Sequence, residues 1–191
     1  NPTDSGSDNS YVVGVRATDG TGNTSDQILT TTILDAGLNT WTKVGDDIDG
    51  EAKYDDSGSS VSLSSDGSVV AIGAPWNDDN GSNSGHVRIY QNNGAWTKIG
   101  DDIDGEAAGD WSGKSVSLSS DGSVVAIGAP QNNGNGSERG HVRIYQNNSG
   151  TWTKIGDDID GEGGGGDWSG YSVSLSSDGS VVAIGAPQNN G

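Results

Sequence analysis

The strongest constraint on the fold of this chain is a long internal repeat. The pattern Trp-Thr-Lys-x-Gly-Asp-Asp-Ile-Asp-Gly-Glu begins at Trp41 and returns 55 and then 56 residues later, at Trp96 and Trp152. The pattern Ser-Val-Ser-Leu-Ser-Ser-Asp-Gly-Ser-Val-Val-Ala-Ile-Gly-Ala-Pro is repeated with it. Units with such a period bury their apolar faces by stacking on one another. The sequence therefore predicts a repeat array over 41–191, in units 41–95, 96–151 and a truncated 152–191, with residues 1–40 outside it.

Each unit contains the pattern of four short antiparallel strands. Polar and apolar residues alternate over Ser60–Ser64, and Asp66-Gly67 is a hairpin signal. Val69–Ala74 is apolar throughout and too short for a helix, so it predicts a strand that is buried on both faces. A third strand follows at 86–90 and a fourth begins at Trp96. The prediction is an all-β fold of four-stranded blades of the β-propeller type. A β-solenoid is the alternative, although its coils usually have shorter periods.

Composition limits the partners of such a fold. Gly accounts for 33 of 191 residues, only 29% of residues are hydrophobic and the net charge is -18, which without the repeat would predict disorder. The negative charge argues against nucleic acid and anionic membranes as partners. An apolar run long enough for membrane insertion is absent from the sequence. The absence of Cys excludes disulfides and thiol catalysis.

Three segments of the second unit resemble the FG-GAP repeat. They are Gly109–Val116, Asp121-Gly122 and Val125–Pro130, and the Gly-Ala-Pro element occurs three times. Ser112-Gly113 stands where the family has Phe-Gly. The resemblance implies a β-propeller like that of integrin alpha chains and many bacterial surface proteins. The family often holds calcium between its first two strands, but here Ser65–Ser68 is too short for such a site.

Residues 1–40 resemble the last two strands of a cadherin-like or bacterial immunoglobulin-like domain. Tyr11–Gly20 is similar to the penultimate strand of that domain, and Gln27–Asp35 is similar to its last strand. Two strands do not form an independent sandwich. We therefore expect further strands upstream, or docking of this hairpin on a neighbour.

The acidic segment of each unit is a candidate calcium site. Its carboxylates follow a 1, 3, 5, 9 spacing that can converge oxygens on Ca²⁺. The third copy keeps three of them, because an extra Gly displaces Asp167. The candidates are Asp47, Asp49, Glu51 and Asp55, then Asp102, Asp104, Glu106 and Asp110, then Asp158, Asp160 and Glu162. The alternative is a solvated acidic connector that keeps the protein soluble.

Aromatic and imidazole side chains supply the remaining candidates. Trp111 and Trp168 lie in polar loops, where they could stack on sugars or pack over a blade edge. The Trp that begins each unit is expected to pack between blades. His86 and His141 occupy equivalent positions a blade apart, so they do not form one catalytic site.

The sequence thus predicts a non-enzymatic structural or adhesive module of a large extracellular, cell-surface or virion-surface protein. A carbohydrate-binding propeller is the alternative, with glycans as partners. A propeller closes with about 4–8 blades, so we expect the array to be completed by further repeats of a longer chain or by other copies. Completion by other copies could produce a filament.

Overall fold

The computed structural model describes residues 10–18, 24–32, 43–134, 136–162 and 165–189 of the chain. Every regular element in these ranges is a β-strand. The chain forms two compact units, Asn1–Lys43 and Val44–Gly191. The described residues include no helix that is long and apolar enough to cross a bilayer.

The described residues of the first unit form an antiparallel hairpin. Its strands are β1 (Ser10–Thr18) and β2 (Thr24–Thr32), and they pair without a register shift. Both overlap the two strands predicted from the sequence, parts of which lie outside the described residues. A single hairpin is common to many β-domains, so the cadherin-like origin of this unit stays a prediction.

The second unit begins with a sheet that we call blade 1. Its first three strands are β3 (Ser60–Leu63), β4 (Val69–Ala74) and β5 (His86–Asn92), each antiparallel to the next. The fourth strand comes in two pieces, β6 (Trp96–Lys98) and β7 (Ile103–Asp104), and both pieces pair with β5. The predicted four-stranded antiparallel blade is thus confirmed.

Blade 2 repeats this topology, and blade 3 begins it. Blade 2 contains β8 (Ser115–Leu118), β9 (Val124–Ala129), β10 (His141–Asn148) and β11 (Thr151–Asp160) in that order across the sheet. Blade 3 contains β12 (Ser172–Leu175) and β13 (Val182–Gly185). Trp96 is the first residue of β6 and Trp152 the second residue of β11, so both lie at the start of the last strand of a blade. A repeat boundary placed at the tryptophans therefore falls before the last strand of a sheet rather than between two sheets.

The core lies between the blades rather than within one of them. Every residue of β4 and β9 is buried, as predicted for the apolar strand of the first two repeats. The equivalent strand of the third repeat, β13, was predicted to be buried as well but is only partly buried. Blade 1 contributes one face of β4 and β5, and blade 2 contributes β8 and β9. The buried cluster comprises Val69, Ala71, Val87, Ile89, Ile103, Val116, Leu118, Val125 and Ile127. Neighbouring blades therefore stabilise each other by burying shared apolar surface.

Two sequence motifs meet where one blade contacts the next. The Ser60 hydroxyl of blade 1 donates to the carbonyl of Gly113 in blade 2, at 2.7 Å. A Cβ on Gly73, the first residue of Gly-Ala-Pro, would overlap that same carbonyl. Gly128 and Gly170 repeat this contact between blades 2 and 3. The glycine of one motif is thus required for the close approach of the other.

Candidate functional site

Blades 1 and 2 each carry a charged cluster at the start of the third strand. In blade 1 it consists of Glu51, His86 and Asp102, whose potential ligand atoms all lie within 4.8 Å of one another. In blade 2 it consists of Glu106, His141 and Asp158 with the same spacing limit. The histidine is buried in each case, the aspartate is half-buried and the glutamate is exposed. We call these groups cluster 1 and cluster 2.

Strand periodicity and pairing assemble each cluster. Val87 and Ile89 point into the core, so His86 and Arg88 lie together on the other face of β5. Asp102 lies between β6 and β7, and the pairing of His86 with Asp104 brings that segment alongside β5. Glu51 precedes the blade in the chain, and its side chain contacts both His86 and Arg88.

Sequence spacing grouped these carboxylates differently from the structure. Glu51 was expected to share a site with Asp47 and Asp49 of its own copy. It instead meets Asp102, which is the counterpart of Asp47 in the next copy. Strands β3 to β6 lie between these two residues in the chain. The residues are close together only because the fourth strand of the blade returns to the segment that precedes its first strand. The sequence feature that pointed to these clusters was the His-x-Arg pattern, which recurs in the third strand of blades 1 and 2.

An arginine bridges the two carboxylates of cluster 2. Arg143 donates to both carboxylate oxygens of Asp158, at 2.9 and 2.7 Å, and also forms an ion pair with Glu106. These hydrogen bonds hold the pKa of Asp158 well below its usual value. Burial, together with the positive charge of Arg143, lowers the pKa of His141. Both effects favour the neutral imidazole.

Cluster 1 has the same residues but a different connectivity. Arg88 donates at 2.7 Å to the backbone carbonyl of Asp49, and its other terminal nitrogen lies 3.4 Å from one oxygen of Glu51. Lys98 binds a single oxygen of Asp102 at 2.7 Å. The second oxygen of Glu51 faces Nδ1 of His86 at 3.9 Å. Each of these two carboxylates thus binds a basic group through one oxygen.

His86 lacks a hydrogen bond at its Nδ1 atom. The side chain is 1% exposed, and this nitrogen has no hydrogen-bond partner within the described residues. A second carboxylate, that of Asp79, lies 4.0 Å away from it. Both carboxylate oxygens are beyond hydrogen-bonding distance. A buried polar atom without a partner is costly and uncommon in a native fold.

The ninth-position aspartates of the calcium pattern are buried and are not members of the two clusters. Asp55 accepts a hydrogen bond of 3.0 Å from the Asn77 amide and another from the backbone of Ala52. Asp110 makes the same pair of contacts with Asn132 and Ala107. In each blade the aspartate therefore ties the loop before β3 or β8 to the loop after the Gly-Ala-Pro element.

Asp167 takes the corresponding position in blade 3. Its side chain is 3% exposed, and those of Asp55 and Asp110 are similarly buried. Its backbone carbonyl accepts a hydrogen bond from the backbone N–H of Gln188, and the carbonyl of Asp110 accepts the equivalent bond from Gln131. Asp167 is therefore in step with Asp55 and Asp110 despite the extra Gly, contrary to the displacement expected from the sequence. The remaining calcium candidates, which the described residues do not bring into a three-member cluster, are Asp47, Asp49, Asp104, Asp160 and Glu162.

An aspartate accepts several hydrogen bonds within the short turn between the first two strands of each blade. The Asp66 carboxylate accepts from the Ser64 hydroxyl and from both the backbone and the hydroxyl of Ser68. These hydrogen bonds, the backbone one first, lower the pKa of Asp66 to about 2. Asp121 and Asp178 repeat the arrangement. This carboxylate thus stabilises a tight turn.

The tryptophans occupy two kinds of position. The indole Nε1 of Trp96 donates to the Val44 carbonyl and that of Trp152 to the Ile99 carbonyl, so each links two successive copies. Trp41 lies outside the described residues. Trp111 and Trp168 are half-buried and share a left-handed backbone with φ of 58°. Trp168 also stacks on Tyr171 at 6.0 Å. Sugar stacking by these two residues stays a prediction.

Comparison with known families agrees with this architecture. The family model of the FG-GAP repeat matches residues 48–90 and 103–145. These two segments are therefore similar to FG-GAP repeats. Each matched repeat contains the glutamate and the histidine of one cluster and ends in the third strand of a blade. A search of curated proteins gives no match to the chain.

Proposed function

We propose that this chain is a non-enzymatic structural and adhesive repeat module of a large extracellular surface protein. Its blades assemble when the first strand of one blade packs on the preceding blade. We call the face of that first strand, Val61 and Leu63 in blade 1, the leading face. The FG-GAP repeats support this reading, since the family resemblance implies surface proteins of the integrin type.

The burial of the leading face carries the proposal. In blade 2 the equivalent residues Val116 and Leu118 are 8% and 7% exposed, because they pack against blade 1. In blade 1, Val61 and Leu63 are 64% and 59% exposed. The residue types are the same, so the difference comes from whether the described residues supply a preceding blade. An exposed apolar face of this kind marks a docking surface.

The opposite face of the array has a matching apolar position. Val69 and Val124 are buried because Gly122 and Gly179 of the next blade lie directly against them. Their counterpart Val181 in blade 3 is 64% exposed. We call this position and its sheet face the trailing face. A leading face and a trailing face are complementary, so contacts between them are head-to-tail and either close into a ring or continue as an open array.

Polar contacts reinforce the same stacking. Ser62 accepts from the backbone of Leu118 at 2.9 Å, and Ser117 accepts from Leu175 at 2.9 Å. Ser65 donates through its backbone to the carbonyl of Ser120 at 2.8 Å. The same hydrogen bonds thus recur at both junctions between blades. Together with the buried apolar surface, they fix the position of one blade on the next. The covering blade comes from further repeats of a longer chain or from another copy.

Two capped variants test whether the faces are complementary. The double variant Val61→Asp/Leu63→Asp removes the leading face, and Val181→Asp removes the trailing face. We expect the parent chain to associate as its concentration rises, each variant alone to stay monomeric, and an equimolar mixture to form a one-to-one dimer. Sedimentation velocity measures all three.

The matched control is Trp76→Gln. Trp76 is an exposed residue outside both faces, and Gln occupies the equivalent positions 131 and 188. This variant should associate like the parent. A parent chain that stays monomeric at high concentration, or a mixture of the capped variants that gives no dimer, would contradict the proposal.

A further inference from the structure

We propose that cluster 1 is a binding site for a divalent transition-metal ion of the zinc class, held by Glu51, His86 and Asp102 with Asp79 as an additional carboxylate. The inference is independent of the stacking function. It rests on the buried Nδ1 atom of His86, which has carboxylate oxygens around it but no hydrogen-bond partner among the described residues.

The distances suit a metal ion better than they suit direct contacts. Zinc binds imidazole nitrogen and carboxylate oxygen at about 2.0–2.2 Å, so its ligand atoms lie about 3–4 Å from one another. Nδ1 of His86 is 3.9 Å from Glu51 Oε2 and 4.0 Å from Asp79 Oδ2. These separations leave room for an ion and are too long for hydrogen bonds.

The basic side chains around cluster 1 leave the ligand atoms available. The guanidinium of Arg88 is directed to the Asp49 carbonyl and to the Oε1 atom of Glu51, while Oε2 faces the histidine. Lys98 contacts Oδ1 of Asp102, so the other oxygen of that carboxylate has no ion-pair partner within the described part of the chain. Outer contacts of this kind orient metal ligands.

The local charge also favours a cation. The carboxylates of Glu51, Asp79 and Asp102 lie beside His86, and Asp104 is paired with His86 across the two strands. Several carboxylates therefore crowd the same buried histidine. A divalent ion between them relieves that repulsion. The imidazole ligand favours zinc and its neighbours over calcium, which takes oxygen ligands.

Cluster 2 differs from cluster 1 in three respects. Gly134 stands in place of Asp79, and Arg139 in place of Ser84. Arg143 binds both oxygens of Asp158 and also pairs with Glu106. A cation would have to displace that guanidinium. The proposal therefore assigns one metal ion to each chain, in blade 1.

Calorimetry with zinc chloride on the EDTA-stripped 191-residue chain tests the site. We expect one equivalent to bind, and His86→Gln to weaken binding about tenfold or more. Asp79→Asn should also weaken it, and because Asp79 is largely exposed this variant keeps the fold. Titration with Co²⁺ should give a visible absorption band in the parent chain that both variants lose.

Two controls separate a site from general attraction to an acidic protein. His141→Gln alters the equivalent residue of cluster 2 and should leave zinc binding unchanged. Asp78→Asn removes a charge beside Asp79, and Asn133 already makes the same turn contact in blade 2, so binding should also be unchanged. Absence of zinc binding at millimolar concentration, or equal losses in Asp78→Asn and Asp79→Asn, would overturn the proposal.

Discussion

At the scale of single residues, buried carboxylates hold the loops that frame each blade. Asp110 is 1% exposed and accepts hydrogen bonds from the Asn132 amide and the backbone of Ala107. The spacing of acidic residues indicated that this position mattered, but it suggested a metal ligand. Sequence alone could not show that the partner would be an asparagine 22 residues further along the chain.

Removal of that carboxylate should destabilise the protein. Asp110→Ala leaves the buried Asn132 amide and a backbone donor without their acceptor, which costs about 2–3 kcal/mol in the free energy of unfolding. Urea denaturation measures the loss. The exposed Asp101→Ala should change stability by less than about 0.5 kcal/mol. Equal effects of the two substitutions would argue against the structural role of Asp110.

The turn aspartates should titrate unusually low. The folded pKa of Asp66 and of Asp178 is about 2, against about 3.9 in an unfolded chain. Because the folded value is the lower one, these turns contribute stability above about pH 4 and lose it as the pH falls toward 2. NMR titration of the two side-chain carboxyl groups should find both midpoints near 2. Midpoints near 4 would mean that the serine hydrogen bonds are absent in solution.

At the scale of the strands, the Gly-Ala-Pro element is a contact between blades. Composition and periodicity predicted the four strands, their antiparallel order and the burial of Val69–Ala74. They could not predict the contact between Gly73 and Gly113, because it joins two repeats whose relative position depends on the assembled sheets. The grouping of Glu51 with Asp102 was missed for the same reason. Patterns along the chain identify elements, whereas contacts between repeats require the fold.

Glycine substitutions test this contact with an internal control. A Cβ at Gly128 would overlap the backbone carbonyl of Gly170, whereas at Gly185 the nearest atom is the movable hydroxyl of Ser172. Gly128→Ala should therefore cost about 3 kcal/mol or more, and Gly185→Ala about 1 kcal/mol or less. Thermal unfolding followed by circular dichroism compares them. A Gly128→Ala protein as stable as Gly185→Ala would contradict the close approach of blades 2 and 3.

At the scale of the whole molecule, equivalent residues form the contact between each blade and the next. Ile89, Ile103, Leu118 and Val125 lie in or against the core between blades 1 and 2. Their counterparts between blades 2 and 3 line an open apolar groove with Ile155. The difference is that the two strands of blade 3 do not cover Ile155 and Ile159, each 38% exposed. Stability should thus be distributed unevenly, with blade 3 opening at lower free energy than blade 2.

Amide hydrogen exchange on a lengthened chain tests the stacking account most directly. The comparison is between the 191-residue chain and the same chain extended after Gly191 by a copy of residues 135–160, which supplies the third and fourth strands of blade 3. Amides of Val182–Gly185 in β13 should exchange at least about 100-fold more slowly in the extended chain, while those of β9 change little. Unchanged exchange at β13 would contradict the claim that these repeats are stabilised blade by blade through a shared junction.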